Sequence, residues 1–240
     1  MSQSFKDNPR PLSLVAGLCF VVLLVAGPVG LLIVPEQIYV AGDPAQTALN
    51  IQENLGLFHI GITAQILIVL TEIILTAALY VLLKPSSKPI AMMAAFARLT
   101  MTAVMAVNLM PLMEMAHLAL TPVTGMEDAQ RFAMVDLAYQ QHLAGTIVWQ
   151  FTFVAHLLLL GMVVLRSTYL PRFLGFALIL GSPSYLLDGF GQLLSLGEIA
   201  PYAMAVNIFL GIATIGEVGL GLWLLIKGVN KDKWRAKLAA

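Results

Sequence analysis

The sequence predicts an all-α integral membrane protein, a polytopic bundle of six transmembrane helices with both termini in the cytoplasm. Of its 240 residues, 59% are hydrophobic and only 11% are charged, whereas a soluble domain carries about 25% charged residues. The mean hydropathy is +0.88. The apolar residues fall in long blocks without the alternation of barrel strands, so helices are the structure that satisfies their backbone polar groups in lipid. The net charge is zero, which argues against a nucleic-acid partner.

Each of the six apolar blocks is long enough to cross a hydrocarbon core, which takes about 20 helical residues. Within a single membrane domain over residues 1–240, we predict spans at about 12–34, 60–83, 90–110, 143–165, 173–196 and 202–226. The third should continue past Pro111 to about Leu120 with a kink, because proline lacks a backbone N–H, and Pro183 should break the fifth. Thr124 followed by Glu127 has the pattern of a capping box, so we expect a helix to begin there and lead towards the fourth span.

The basic residues predict the orientation of the spans. Lys6 and Arg10 precede the first block, which is longer than the apolar region of a signal peptide and lacks a small-residue cleavage site, so we expect it to be retained. Further basic residues flank alternate ends of the later blocks, whereas the other loops carry one basic residue, Arg131. The positive-inside rule then places both termini in the cytoplasm, as an even number of crossings requires.

Four ionisable residues lie inside the predicted spans at a similar depth: Glu72, Arg98, His156 and Glu217. Each is ten to twelve residues from the nearest inner basic residue, or about 15–18 Å along a helix. One interpretation is structural, with Arg98 neutralising Glu72 or Glu217 and His156 bonding to the other. The second is a proton or cation relay, because one arginine neutralises only one of the two carboxyl groups.

A second polar layer is predicted further out in the fifth span. Ser184, Asp188 and Gln192 recur at intervals of four residues, so they form one stripe on a helix. Because lipid does not tolerate such a stripe, we expect it to face an outward-opening cavity or another helix.

The outer ends of the helices carry candidate metal ligands: Glu114, His117, His142 and His59. With Asp188, their imidazoles and carboxylates suggest a divalent-metal site that is structural or activates water. The alternative is that these histidines bond to loops, since no HExxH motif occurs and the single ExxH falls short of a di-iron bundle. His142 and His156 are fourteen residues apart, but no further histidine lies opposite His156, so haem is not expected.

Three segments resemble a bacterial family of six-helix membrane proteins known only as a domain of unknown function. They are LYVLLKP after Glu72, RSTYLPRFLG with Tyr185 and Asp188 beyond it, and LWLLIKG after Glu217. The resemblance covers about residues 10–228. It implies six helices in a bacterial cytoplasmic (inner) membrane, and it brings no activity, substrate or site residue.

The sequence therefore predicts a small transporter or transport-like protein, proton-coupled through the buried charge layer, with an ion or small molecule as substrate. Such a protein is not an enzyme. One alternative is a membrane-embedded, metal-dependent hydrolase with an outward-facing site. The other is a non-catalytic membrane or stress-response accessory protein in which every buried charge is structural.

Overall fold

The computed structural model describes residues 8–239, which contain α-helices, one π-helical segment and no β-strand. Lys6 lies outside this range. Six helical stretches within it are long and apolar enough to cross a membrane, so the predicted all-helical, six-span fold is confirmed. They are Arg10–Ile38, Leu55–Leu83, Lys88–Leu120, Asp128–Ser167, Arg172–Leu193 and Ala200–Ile226.

Three spans are single helices and three are interrupted. The first span contains a π-helical turn, Val29–Ile33, between α1 and α2. The third and fifth spans each consist of two α-helices, and two short helices lie outside the spans. In chain order the α-helices are α1 Arg10–Pro28, α2 Val34–Ile38, α3 Pro44–Glu53, α4 Leu55–Leu83, α5 Lys88–Val107, α6 Met110–Leu120, α7 Asp128–Ser167, α8 Arg172–Gly181, α9 Pro183–Leu193, α10 Ala200–Ile226 and α11 Lys231–Ala239.

Both expected proline breaks are present. Helix α5 ends at Val107, four residues before Pro111, where the proline ring would clash with the backbone carbonyl. Helix α8 ends at Gly181 and α9 begins at Pro183. The hydroxyl of Ser184 donates to the Gly181 carbonyl at 2.8 Å, which satisfies a backbone acceptor beside this break.

Several boundaries differ from the sequence-based predictions, among them the start of the second span, which lies at Leu55 instead of residue 60. The fourth span, α7, begins at Asp128 and not at Thr124. The predicted capping box does not form; instead the Glu127 N–H donates to the Gln130 side-chain oxygen at 3.3 Å. Helix α7 then continues without a break to Ser167. The fifth span ends at Leu193, three residues earlier than predicted, because the chain turns at Ser195, whose φ is +54°.

The chain divides into two compact units. The first takes its described residues from Met1–Val22, Thr71–Thr102 and Val148–Ala240, and the second from Leu23–Leu70 and Ala103–Ile147. Helices α1, α4, α5 and α7 therefore contribute residues to both units.

Close helix packing organises the first unit. A Cβ on Gly181 would collide with the backbone of Ala213 on α10, and one on Gly221 would lie 2.5 Å from Cβ of Phe20. Small residues at such crossings allow helices to approach in lipid, where the hydrophobic effect does not drive association. The position of α10 thus depends on glycines in both α8 and α10.

A buried tyrosine ties the turn between α7 and α8 to the end of α4. The hydroxyl of Tyr169 donates to the Leu82 carbonyl at 2.7 Å and accepts from Ser86 at 2.7 Å. The indole of Trp234 donates to the same carbonyl at 2.9 Å. Burial raises the pKa of Tyr169, which lies outside the spans, from 10 to about 12.

The second unit has an apolar core formed by α2, α3, the start of α4, α6 and the first half of α7, in which Ile51, Met115 and Val135 are fully buried. Arg131 is buried, donates to the Leu118 and Ala119 carbonyls at the end of α6, and pairs with Asp128 at 2.8 Å. Arg131 therefore caps the C-terminal end of α6.

Candidate functional site

Three of the four predicted ionisable residues form one hydrogen-bonded cluster in the first unit. Arg98 Nε donates to Glu72 Oε2 at 2.5 Å, and Arg98 Nη1 lies 2.7 Å from His156 Nε2. The three side chains come from α5, α4 and α7. All three residues are at most 5% exposed. We call this group the Arg98 cluster.

The contacts of His156 determine its tautomer. Its Nδ1 lies 2.9 Å from the Ala94 carbonyl oxygen, which only accepts hydrogen bonds, so Nδ1 carries the proton. Its Nε2 faces Arg98, which only donates, so Nε2 is an unprotonated acceptor. His156 is therefore neutral, the charges of Glu72 and Arg98 cancel, and neither ring nitrogen is free for a haem iron.

The remaining contacts of the Arg98 cluster come from its own helices and from α1. The hydroxyls of Thr76 and Thr102 bond to the carbonyls of Glu72 and Arg98, at 2.7 and 2.8 Å. The Arg98 guanidinium also lies 5.8 Å from the ring centroid of Phe20, a cation–π distance. A narrow cleft beside Arg98 and His156 is lined mainly by the apolar side chains of α4, α5 and α7. Each of the three ionisable side chains in the cluster thus has a polar partner.

Glu217, the fourth predicted residue, has a different environment. It is half-buried on α10, and its Oε1 accepts a hydrogen bond from the Tyr185 hydroxyl at 3.2 Å. The two salt bridges among the described residues, Glu72–Arg98 and Asp128–Arg131, do not include it. Glu217 is close enough to Arg98 and Glu72 to interact with their charges. It is therefore an acid inside a span that has a hydroxyl partner and no ion pair.

Aromatic rings connect Glu217 to the Arg98 cluster. The Tyr185 ring packs edge-on against Phe153, with centroids 4.8 Å apart, and Phe153 stacks on His156 at 5.9 Å. Trp149 lies 5.9 Å from Tyr185 and 5.4 Å from Phe153. These rings from α7 and α9 separate the paired cluster from the unpaired acid.

The outer polar stripe meets α7 through a residue that the sequence analysis missed. Asp188 Oδ2 accepts from Gln150 Nε2 at 2.5 Å and from Gln192 Nε2 at 2.9 Å. Ser184 is buried and its hydroxyl donates to the Gly181 carbonyl, so this hydrogen bond does not involve Asp188. A buried amide inside a predicted span is costly in lipid, and this property of Gln150 could have drawn attention to it.

The candidate metal ligands all belong to the second unit except Asp188. His59, Glu114 and His117 are exposed, whereas His142 is buried and its Nδ1 donates to the Asn108 carbonyl at 2.9 Å. Among residues 8–239, no three His, Cys, Asp or Glu side chains are placed to hold a metal ion. His142 braces the break between α5 and α6, and the divalent-metal site with its hydrolase hypothesis stays a prediction.

Residues 15–228 match the family described as Domain of unknown function (DUF4386). The chain belongs to this family. The resemblance seen in the sequence is therefore confirmed. An uncharacterized protein of Archaeoglobus fulgidus is 27% identical to this DUF4386 protein over 162 residues, which is 68% of the present chain and 80% of that relative. No solved structure matches the chain.

Proposed function

We propose that this DUF4386 protein is a small proton-coupled transporter of a bacterial cytoplasmic membrane, and that Glu217 carries the proton. The observation that supports the proposal is that two acids of the first unit have different partners. Arg98 is committed to Glu72, whereas Glu217 has only the Tyr185 hydroxyl. Ionisable residues within spans are costly and by default mark ion or proton pathways.

The geometry around Glu217 suits a group that gains and loses a proton. The Tyr185 hydroxyl donates to the ionised carboxylate, and after rotation its oxygen accepts from the protonated carboxyl. Neither salt bridge among residues 8–239 holds Glu217 in its ionised form, and its side chain is only half-buried. The Arg98 cluster has no comparable freedom, so we assign it to holding α4, α5 and α7 together.

Proton flux into proteoliposomes tests this proposal. The purified protein is reconstituted with an entrapped pH-sensitive dye, and a valinomycin-mediated potassium diffusion potential drives protons inwards. We expect flux above that of protein-free liposomes. We expect Glu217→Gln to abolish it, because the amide keeps the shape of the side chain and does not titrate.

The matched control is Glu198→Gln, which makes the same chemical change at an exposed residue in the turn before α10. This variant should conduct protons like the wild type. Wild-type flux equal to that of protein-free liposomes, or full flux in Glu217→Gln, would contradict the proposal. Retention of flux in the Glu198→Gln control shows that removing one carboxyl does not by itself impair reconstitution.

A further inference from the structure

We propose that Asp188 and Gln150 form the binding site for a small primary ammonium ion, which is the substrate of the transporter. This inference rests on the proposed function and adds the substrate class. It starts from the charge of the site. Asp188 is half-buried within the fifth span, and neither salt bridge among residues 8–239 includes it. Its Oδ2 has two neutral amide partners, so the site has a negative charge that no side chain cancels and that attracts a cation.

The buried amide of Gln150 supplies an independent indication of a ligand. Gln150 is 6% exposed, and its Nε2 donates to Asp188. That bond fixes the orientation of the amide, because the reverse orientation would place Oε1 against the carboxylate. Oε1 is left as a buried acceptor without a partner. Buried acceptors are normally bonded, so the site lacks a hydrogen-bond donor.

A glycine lies next to this acceptor. A Cβ on Gly189 would lie 3.2 Å from Gln150 Oε1 and 2.7 Å from the Phe151 ring. Only a residue without a side chain fits there, so α9 packs closely against the Gln150 amide. Asp188, the residue before Gly189, therefore places its negative charge beside the unpaired acceptor.

The kind of cation follows from the groups around the site. Tyr185 is within electrostatic range of Asp188 and packs against Trp149 and Phe153, and aromatic faces favour an organic cation. Trp149 Nε1 is a second buried group without a partner. A bare metal ion would need several more oxygen ligands. A primary ammonium provides N–H donors for Gln150 and Asp188. A hydroxyl on the same ligand would accept from the Trp149 indole.

Tyr185 couples this site to Glu217. Its hydroxyl bonds to Glu217 Oε1, and its position one helical turn before Asp188 brings it within electrostatic range of that carboxylate. The ionised Glu217 carboxylate attracts a cation at Asp188, and protonation of Glu217 removes that attraction. Each of the two positive species therefore disfavours the other, which is the physical basis for exchanging one for the other.

Binding of radiolabelled ethanolamine to the purified full chain in detergent tests the site. Choline is the matched competitor, because it keeps the hydroxyl and the charge but has no N–H on its nitrogen. We expect saturable ethanolamine binding and a choline affinity at least about tenfold weaker, as expected for the loss of one hydrogen bond to a charged donor. Asp188→Asn should abolish binding, Gln150→Leu should bring the two ligands close to parity, and Glu198→Gln should change nothing.

The wild-type comparison of ethanolamine with choline needs no variant, so it holds even where Asp188→Asn fails to fold. Equal affinities, absence of saturable binding, or full ethanolamine binding by a folded Asp188→Asn protein would each overturn the inference. Glu217-dependent proton flux without ethanolamine binding removes this inference and leaves the proposed function intact. Asp188-dependent ethanolamine binding without proton flux removes the proposed function and leaves the binding site intact.

Discussion

The Arg98 cluster and the Glu217 site are near neighbours in one unit, yet their polar groups are paired in opposite ways. In the Arg98 cluster, every ionisable side chain has a hydrogen-bonded partner, and Glu72 and Arg98 form an ion pair. At the Glu217 site, the acid has one hydroxyl partner, and nearby Asp188 has only amides. The difference indicates that burial of a charge is not by itself a sign of function. Burial of a charge without a counter-charge, by contrast, is a reason to test for a function.

The largest expected effect comes from breaking the pair in the Arg98 cluster. Glu72→Gln leaves the Arg98 charge buried and uncompensated, which should lower the free energy of unfolding by about 3–5 kcal/mol. The isosteric change Glu217→Gln removes no ion pair and should cost less than about 1 kcal/mol. Thermal unfolding of both variants in the same detergent measures the contrast.

A double variant sharpens this comparison. Glu72→Gln combined with Arg98→Met removes the stranded charge and should recover most of the lost stability, because a hydrophobic replacement of a buried ion pair is often neutral. Equal losses for the Glu72 and Glu217 single variants would show that the two sites do not differ as described.

The next effect is the loss of stability at alkaline pH, to which Tyr169 contributes and the Glu217 site does not. The native pKa of Tyr169 is raised to about 12, so between pH 10 and 12 the unfolded chain releases this proton while the native protein retains it. Stability is therefore present below pH 10 and falls as the pH rises, by roughly 2–3 kcal/mol for two pH units. Tyr169→Phe should reduce this alkaline loss in a denaturation series, while proton flux near neutral pH keeps its pH profile.

An unchanged alkaline slope in Tyr169→Phe would mean that other groups limit stability there. The substitution also removes the hydrogen bonds to Leu82 and Ser86, so a uniform loss of about 1 kcal/mol below pH 10 is expected as well.

The smallest effect concerns the packing that positions Glu217. Gly181→Ala would force apart α8 and α10 at Ala213, one helical turn from Glu217, and should cost about 1–2 kcal/mol. The matched control is Gly211→Ala on the same α10, where a Cβ meets nothing within 4 Å; alanine there should be neutral or stabilising. Proton flux should fall only in Gly181→Ala. A similar flux in both variants would show that Glu217 tolerates displacement of its helix.

Much of the fold was accessible from the sequence. Blocks of apolar residues predicted the six helices, and Pro111 and Pro183 predicted two breaks, because a missing N–H and a ring clash are local effects. The extent of α7 and the turn at Ser195 were harder to predict. Neither Asp128 nor Ser195 is next to a proline, so no ring clash or missing N–H marks either boundary in the sequence.

The candidate site could be predicted from the sequence only in part. Counting residues from the inner basic anchors placed Glu72, Arg98 and His156 at one depth, and the structure joins them. Depth along a helix does not say which way a side chain points, so the competition of two acids for Arg98 stayed open. Gln150 escaped notice because its partner, Asp188, lies 38 residues further along the chain.

The sequence by itself determined that the chain is an integral membrane protein, that it has six helices of spanning length and which ionisable residues fall within them. These properties follow from hydropathy and residue counting, which are sums along the chain. Only the tertiary structure decided that Arg98 pairs with Glu72, that Glu217 is left with Tyr185, and that Gln150 faces Asp188 with one atom unpaired. Pairing depends on the rotation and close approach of helices, and these are set by contacts between residues distant in sequence, such as Gly181 with Ala213.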